Sequence, residues 1–434
     1  MITYGRQSID QSDIDAVVEV LKGDWLTQGP AVERFENDLK LFFGAKHACA
    51  VSNGTAALHL TGLVLGWQPS DIVITSPITF LATANCIVYS GATPDFVDID
   101  PVTYTIDPNQ LEEKVKTYQS QGKKVKAVIG VDYAGHPCDW KALREIADIY
   151  DLQLVNDNCH SLGASYFGDK QYAVEYADVV TQSYHPVKHI TTGEGGAVLT
   201  CNAQIDEKVR VLRSHGMTNN PERIYKNEGP WYYEMHNIGF NYRVSDLQCA
   251  LGISQLKKLN HFISRRRNIA EQYDIAFGSD ERFIIPTVSK NVSHAFHLYP
   301  LNLQFEKMSI EKNHLFESMK KKEVCLQVHY IPVHLQPYYQ KKYGFNVGDF
   351  PHAESFYKGV EGEYSASEWY DLHKKEWSAS LRVMLEQLTG FEDVEDEEAE
   401  SPSSILTIID NATDPDNLSE AILRIEKDEG EAKF

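Results

Sequence analysis

Apolar positions recur at helical spacing twice near the start of the chain. Ile14, Val17, Val18 and Leu21 fall three and four residues apart and predict a helix, with Ser12 as its N-cap. Val32, Phe35, Leu39 and Phe42 predict a second amphipathic helix. The period then changes. Short apolar runs at 48–51, 72–74, 125–131 and 152–155 end in polar or glycine residues, and helical stretches such as Ala56–Leu65 separate them. Further runs at 179–182 and 197–199 follow. This alternation predicts βαβ units around a mostly parallel sheet, an α/β fold. Ligands of such folds bind beyond the carboxyl ends of the strands, which directs attention to the polar residues after each run. A long helix is predicted after Tyr242-Arg-Val-Ser245, with Leu251, Leu256, Leu259 and Ile263 on or near one stripe. Arg265-Arg-Arg267 is expected on its solvated side. From about residue 280 the pattern is mixed, which suggests a smaller α+β lobe. The expected division is a large domain at 1–260 and a small C-terminal domain at 261–434.

Composition adds limits. The 434 residues are 42% apolar and 24% charged, an ordinary composition for a globular protein with a large core. The net charge of −21 argues against a non-specific nucleic-acid binder, which needs clustered basic side chains. Much of that charge sits late: from Gly359 onward there are 21 acidic against 6 basic residues. Residues 359–404 form a divergent acidic segment, densest at Glu392–Glu400, and read as a solvated loop. No apolar run approaches the roughly 18 residues of a membrane span. The start, Met-Ile-Thr-Tyr-Gly-Arg, shows no secretory signal. Seven scattered cysteines without a CxxC pair are read as reduced thiols. The expectation is a cytoplasmic protein with no membrane and no nucleic-acid partner.

Three post-strand segments carry candidate chemistry. Ser52-Asn-Gly54-Thr55 joins a strand to a helix, and free N–H groups at a helix start favour phosphate. Asn156-Asp157-Asn-Cys-His160 places an acid where the sheet faces its ligand, although a lone Asp there also suits a turn. Ser183-Tyr-His-Pro-Val-Lys188, followed by Thr191-Thr-Gly-Glu-Gly-Gly196, puts a lysine in a Gly- and Thr-rich turn between strands. Lysines prefer hydrated surfaces, and one held near a pocket can act as an amine nucleophile toward carbonyls. Pyridoxal 5′-phosphate is the common cofactor of that chemistry. It needs a lysine for its aldehyde, an acid for its ring nitrogen and donors for its phosphate. Lys188, Asp157, and Gly54 and Thr55 with Ser183 supply all three. Neither Cys159-His160 nor the His329–His334 segment has metal-ligand spacing, so no metal is expected.

With these segments in place, residues 1–357 resemble the sugar-nucleotide aminotransferases of the DegT/StrS family. The matching stretches are Asn53–Thr55, Asp157–Gly163, Ser183–Lys188, Thr191–Gly196, Gly239-Phe-Asn241-Tyr-Arg243 and Ala250-Leu-Gly252. Tyr4–Gln7, Gly23–Gly29, Thr79–Asn85, Val328–Pro332 and Gln336–Tyr339 further resemble the branch serving pseudaminic acid biosynthesis. The resemblance implies a fold-type I pyridoxal-phosphate transferase: a large domain with a mixed, mostly parallel sheet between helices, and a small α+β domain. It implies that an amino group passes from L-glutamate to C4 of a UDP-linked 4-keto-6-deoxy-N-acetylhexosamine. Lys188 and Asp157 become the catalytic pair, bearing the aldehyde carbon and facing the pyridine nitrogen. Phe80 stacks on the ring and His160 lies beside it. Gly54, Thr55 and Ser183 hold the phosphate, and Asn241 reaches it across a homodimer interface. Tyr4, Trp25, Leu26, Thr27 and Tyr330 are implied on the substrate side. A lysine rather than a histidine at 188 favours transamination over dehydration. The alternatives are another keto-sugar-nucleotide transaminase, or a non-catalytic sensor on the same fold.

The likeness breaks after Tyr357. No Ser-Leu-Pro closing phrase follows, and the chain runs on for 77 residues. Trp369, Trp377, Leu381, Met384, Leu385 and Leu388 suggest an extra helix or two, Ile405–Ile409 a strand, and Leu418–Ile425 a final helix.

Overall fold

The computed structural model describes residues 5–308, 311–358 and 381–382. Two helices open the fold, α1 (Gln11–Lys22) and α2 (Pro30–Phe43). The cap of α1 is Asp10, not Ser12. Asp10 accepts from the Asp13 N–H at 3.2 Å, Asp13 accepts from the Asp10 N–H at 3.1 Å, and the Ser12 hydroxyl donates to Asp10 at 2.6 Å. A carboxylate outcompetes a neighbouring hydroxyl because it accepts more strongly and meets the positive end of the helix. Helix α1 leaves Ile14 and Leu21 exposed and buries Asp13 instead.

Strand and helix then alternate: β1 (His47–Val51), α3 (Gly54–Val64), β2 (Ile72–Thr75), α4 (Leu81–Tyr89), β3 (Thr93–Phe96), α5 (Pro108–Ser120), β4 (Val125–Val131), α6 (Trp140–Tyr150) and β5 (Gln153–Asp157). A two-residue strand β6 (Ser165–Tyr166) and the short α7 (Tyr172–Tyr176) lead to β7 (Val179–Ser183) and β8 (Gly196–Thr200). Seven strands form one sheet in the order β1-β8-β7-β5-β4-β2-β3. Its pairs are parallel except at β8, which runs antiparallel to both neighbours. Apolar side chains cover both faces, as parallel sheets require. Phe35, Leu39, Trp140 and Leu259 belong to one cluster, and Leu58, Trp67, Ile87 and Ile129 to another.

After α8 (Ala203–Leu212), a hairpin of β9 (Met217–Thr218) and β10 (Glu234–Met235) precedes α9 (Asp246–Phe277). Ser245 and Gln248 form the capping box that starts α9. Residue 260, the expected lobe boundary, lies inside this continuous helix. The far end of α9 enters a second core with Tyr273, Phe277, Phe283, Tyr299, Leu301, Leu315 and Met319. That core is built on β11 (Phe283–Ile284), the outlying β12 (Val292–Ser293, paired with β6), β13 (Pro300–Leu303) and α10 (Lys312–Lys321). The arginine run departs from its expected solvated place. Arg266 is 2% exposed and donates to the Phe296 carbonyl at 3.2 Å, and Arg267 donates to the His294 carbonyl at 3.0 Å. Backbone carbonyls of the 294–297 segment take these guanidinium donors, which permits their burial.

The chain then returns to the large lobe through α11 (Pro337–Tyr343) and α12 (Pro351–Lys358). Val333, Tyr339, Phe350 and Phe356 pack with Ile78, Phe96 and Tyr133. Asp98 receives the first N–H groups of α12, from His352 and Ala353, each at 2.8 Å. Leu381–Arg382 form β14, antiparallel to β13, so Leu381 lies in a strand and not in the expected helix. The remaining expected elements after Lys358 lie outside the described residues, as does Tyr4. The seven cysteines are all free thiols. Among the described residues no helix is long and apolar enough to cross a membrane.

Candidate active site

The sheet register assembles the first part of the site. Gly196 on β8 pairs with Val51 on one side and Ser183 on the other, so the ends of β1 and β7 meet across it. Asn53 caps α3 by accepting from the Ala56 N–H at 2.8 Å. Gly54 opens that helix against Ser183. A Cβ at Gly54 would fall 2.8 Å from Ser183 Cβ and 3.2 Å from its hydroxyl oxygen, so only glycine permits this approach. Thr55 follows, exposed, in the first turn. The result is a helix N-terminus with a serine hydroxyl beside it, a geometry suited to an anion.

Asp157 ends β5 and is 6% exposed. Its carboxylate accepts from the Thr83 hydroxyl at 2.7 Å and from the Cys159 N–H at 3.3 Å, and Thr83 also meets the Thr79 hydroxyl at 2.8 Å. Lys188 lies half-buried in the β7–β8 turn, where its N–H donates to the His185 carbonyl at 2.8 Å. Its Nζ is 3.4 Å from His297 Nε2. Burial and the Asp157 charge hold the Cys159 thiol well above its ordinary range, and the Lys188 charge opposes them. That thiol therefore sits within electrostatic reach of both residues.

His160 and Tyr330 join the same group. His160 is buried, its ring 4.4 Å from that of His297 and its Nε2 3.3 Å from the Tyr330 hydroxyl. Phe80 is 56% exposed at the start of α4, its ring 6.0 Å from that of Tyr330. An exposed aromatic at that place is available to a flat ligand rather than consumed by the core. The other predicted residues make contacts of their own. Trp25 and Leu26 are exposed, and Thr27 bridges Ser245 at the start of α9. Asn241 is exposed, its backbone bridged to Ser214. Among the described residues, no hydrogen bond links these four to the Lys188 group.

Sequence reasoning missed Thr83 and His297. Thr83 had a usable signal, since Thr79 and Thr83 are one helical turn apart in a post-strand segment. His297 had none, because residues 109 positions apart meet only through the tertiary fold. No cluster of three or more His, Cys, Asp or Glu side chains is placed to hold a metal among the described residues.

A lysine, a buried acid and a helix N-terminus opened by glycine fit a group with an aldehyde, a protonated ring nitrogen and a phosphate. Comparison with known proteins agrees. A match to the DegT/DnrJ/EryC1/StrS aminotransferase family spans residues 7–361. The spore coat polysaccharide biosynthesis protein SpsC of Bacillus subtilis is 39% identical over 359 residues, covering 82% of this chain and 90% of that protein. The UDP-4-amino-4,6-dideoxy-N-acetyl-beta-L-altrosamine transaminase of Campylobacter jejuni is 38% identical over 358 residues, with the same coverage of 82% and 90%. The solved structure of Helicobacter pylori PseC, an aminotransferase involved in pseudaminic acid biosynthesis, superposes with a TM-score of 0.73 at 28% identity. The likeness covers 98% of this chain and 99% of that one. Enzymes of this family depend on pyridoxal 5′-phosphate. The chain belongs to the DegT/DnrJ/EryC1/StrS family and is a sugar aminotransferase.

Proposed function

We propose that this enzyme transfers the amino group of L-glutamate to C4 of a UDP-linked 4-keto-6-deoxy-N-acetylhexosamine, in the manner of the pseudaminic acid branch. The observation that carries this reading is the gathering of Lys188, Asp157 and the Gly54–Ser183 turn at one edge of the sheet. The altrosamine transaminase likeness supports the substrate class. Pyridoxal phosphate, when bound, supplies the aldehyde that carries the amino group and a ring that takes up the electron pair of the broken C–H bond. Lys188 Nζ would hold the aldehyde carbon and, as a free amine, would move the proton from the donor's Cα. Asp157 would accept a hydrogen bond from the ring nitrogen and favour its protonated form, and Thr83 orients the carboxylate. Gly54, Thr55 and Ser183 would bind the phosphate, with Phe80 and His160 at the ring. Trp25, Leu26, Thr27 and Tyr330 face the sugar nucleotide, with Tyr4 ahead of them in the chain.

A homodimer completes this reading, with Asn241 donating to the phosphate of the neighbouring subunit. Its exposed position supports that role. So do Tyr225, Trp231, Met235 and Ile238, which stand exposed around the β9–β10 hairpin as an apolar surface that a second copy would cover. The proposed setting is the cytoplasm, where nucleotide sugars and glutamate are available.

A second reading, another keto-sugar nucleotide as acceptor, is favoured by the equal likeness to the spore coat protein. The test begins with protein loaded with pyridoxal phosphate and given L-glutamate. Formation of 2-oxoglutarate, absent in Lys188→Ala, establishes the transferase chemistry. Adding the 4-keto sugar nucleotide and determining the position and configuration of the new amine by NMR decides between acceptors. An amine at C3, or no product, would sink the C4 assignment.

A further inference from the structure

His297 lies in no motif and carries no role in the reading above, yet it touches the lysine on which that reading depends. Its Nε2 is 3.4 Å from Lys188 Nζ. The residue is 2% exposed, and its ring lies 4.4 Å from that of His160 and 5.5 Å from that of His189. Its backbone is clamped from two sides. Ala295 donates to the Gly135 carbonyl at 2.9 Å and Leu298 to the Ala134 carbonyl at 3.1 Å. Arg266, from α9, donates to the carbonyls of Phe296 at 3.2 Å and His297 at 3.5 Å. A Cβ at Gly135 would fall 2.8 Å from the Phe296 nitrogen and 3.1 Å from that of His297, so the absence of a side chain there allows the segment to seat. So much anchoring would be unnecessary for a ring that merely fills space.

An ammonium has donors and no acceptor, so a protonated Lys188 in this contact pairs with an imidazole that offers its Nε2 lone pair. Burial, Arg266 and Lys188 together hold the adjacent His189 well below its ordinary range. The titratable and charged groups around the pair include Arg6 and Arg266, which line a cavity with Lys188 and His189, and His160, Cys159, Asp157 and, through His160, Tyr330.

We infer that His297 is a positioning residue for Lys188: it receives the Nζ whenever the lysine is not joined to the cofactor, holds it in the site and favours its protonated form. The inference rests on Lys188 being the amine of the proposed reaction. An amine that must leave and return to one carbon needs a defined resting place, or it loses orientation at every turnover.

The test uses cofactor-free protein. Wild type, His297→Phe and His297→Gln are acylated with acetic anhydride across a pH series, and labelling of Lys188 is measured by peptide mass spectrometry against the exposed Lys46. Removing an acceptor destabilises the ammonium, so His297→Phe lowers the labelling midpoint of Lys188 by about half a unit or more. The amide oxygen of His297→Gln restores most of that shift, which a purely packing role would not allow. Unchanged midpoints in variants with wild-type circular dichroism would overturn the inference. So would a shift that glutamine fails to restore. In loaded enzyme, the rate of the glutamate half-reaction shifts its pH profile in His297→Phe while KM for glutamate holds. Labelling decides the pairing whether or not glutamate reacts, whereas a wild-type enzyme inert to amino donors would refute the activity alone.

Discussion

At the scale of single residues, the site depends on groups that fix other groups. Asp157 offers its carboxylate at the end of β5, but the Thr83 hydroxyl at 2.7 Å decides how that carboxylate points. A hydrogen bond to a buried carboxylate is worth about 1.5–3 kcal/mol. Thr83→Val keeps the shape and removes the donor. It should lower the glutamate half-reaction rate by about tenfold or more with little change in fold, as stopped-flow absorbance and circular dichroism would show. An unchanged rate would mean that Asp157 is held by its backbone alone. Ser183 and Gly54 show the same dependence, since the hydroxyl stands at the helix start only because position 54 has no side chain.

At the scale of elements, β1 is an edge strand, and edges left open recruit other strands. Here the edge is closed by side chains. Arg210 donates to the Ala48 carbonyl at 2.6 Å and Arg213 to the Ala50 carbonyl at 2.6 Å, while Glu36 accepts from the Ala50 N–H at 2.9 Å. Glu36 also bridges the two arginines, at 2.8 and 2.7 Å. This ties α2, β1 and α8 together behind the phosphate turn. Glu36→Ala should destabilise the protein by about 3 kcal/mol, read from denaturant unfolding, because it leaves two guanidinium groups facing each other without their shared anion. The strap of α11 and α12 is held similarly, by Asp98 at the start of α12 and by a buried His334–Glu354 pair at 3.1 Å. It brings the 329–330 segment over the sheet and so delivers Tyr330 to His160.

At the scale of the whole molecule, two features remain poorly matched to an isolated chain. Lys312, in the small lobe, is 1% exposed, its ammonium over the Tyr357 ring at 5.2 Å. Its Nζ has no hydrogen-bond partner, and burial pushes its pKa down to about 5. The folded state therefore holds this amine neutral where the unfolded chain binds a proton. Stability is lowered below pH 5, rises with pH through the interval from about 5 toward 10.5, and is fully relieved above it. Lys312→Met should raise the melting temperature at pH 7 and flatten the stability profile between pH 6 and 9. A variant that melts lower would show that the amine is satisfied. The second feature is the exposed apolar surface of the hairpin, where Tyr225 is 86% and Ile238 82% exposed. Ile238→Asp should shift the protein from dimer toward monomer in analytical ultracentrifugation and weaken its retention of pyridoxal phosphate. A wild-type monomer that retains cofactor tightly would overturn the dimeric reading.

The local features of this protein were legible in its chain. Apolar runs located β1, β2, β4, β5, β7 and β8 to within a residue or two, because a strand buried on both faces must be apolar throughout. The Gly-Thr turn, the acid that ends β5 and the lysine after β7 were legible because each departs from what its neighbourhood would otherwise hold. What depended on distant partners was not. Arg266 looked like a solvated charge until the 294–297 backbone supplied acceptors. Asp10 displaced Ser12 as a cap through geometry that composition does not record. Trp25, Leu26, Thr27 and Asn241 share the family's phrases, yet within one chain, among the described residues, no hydrogen bond joins them to Lys188. The sequence by itself thus determined which strands form and which side chains stand at their ends, since both follow from local pattern. Only the tertiary structure decided which of those ends meet, and it set His297 against Lys188, because a contact between side chains 109 residues apart is a property of the whole fold.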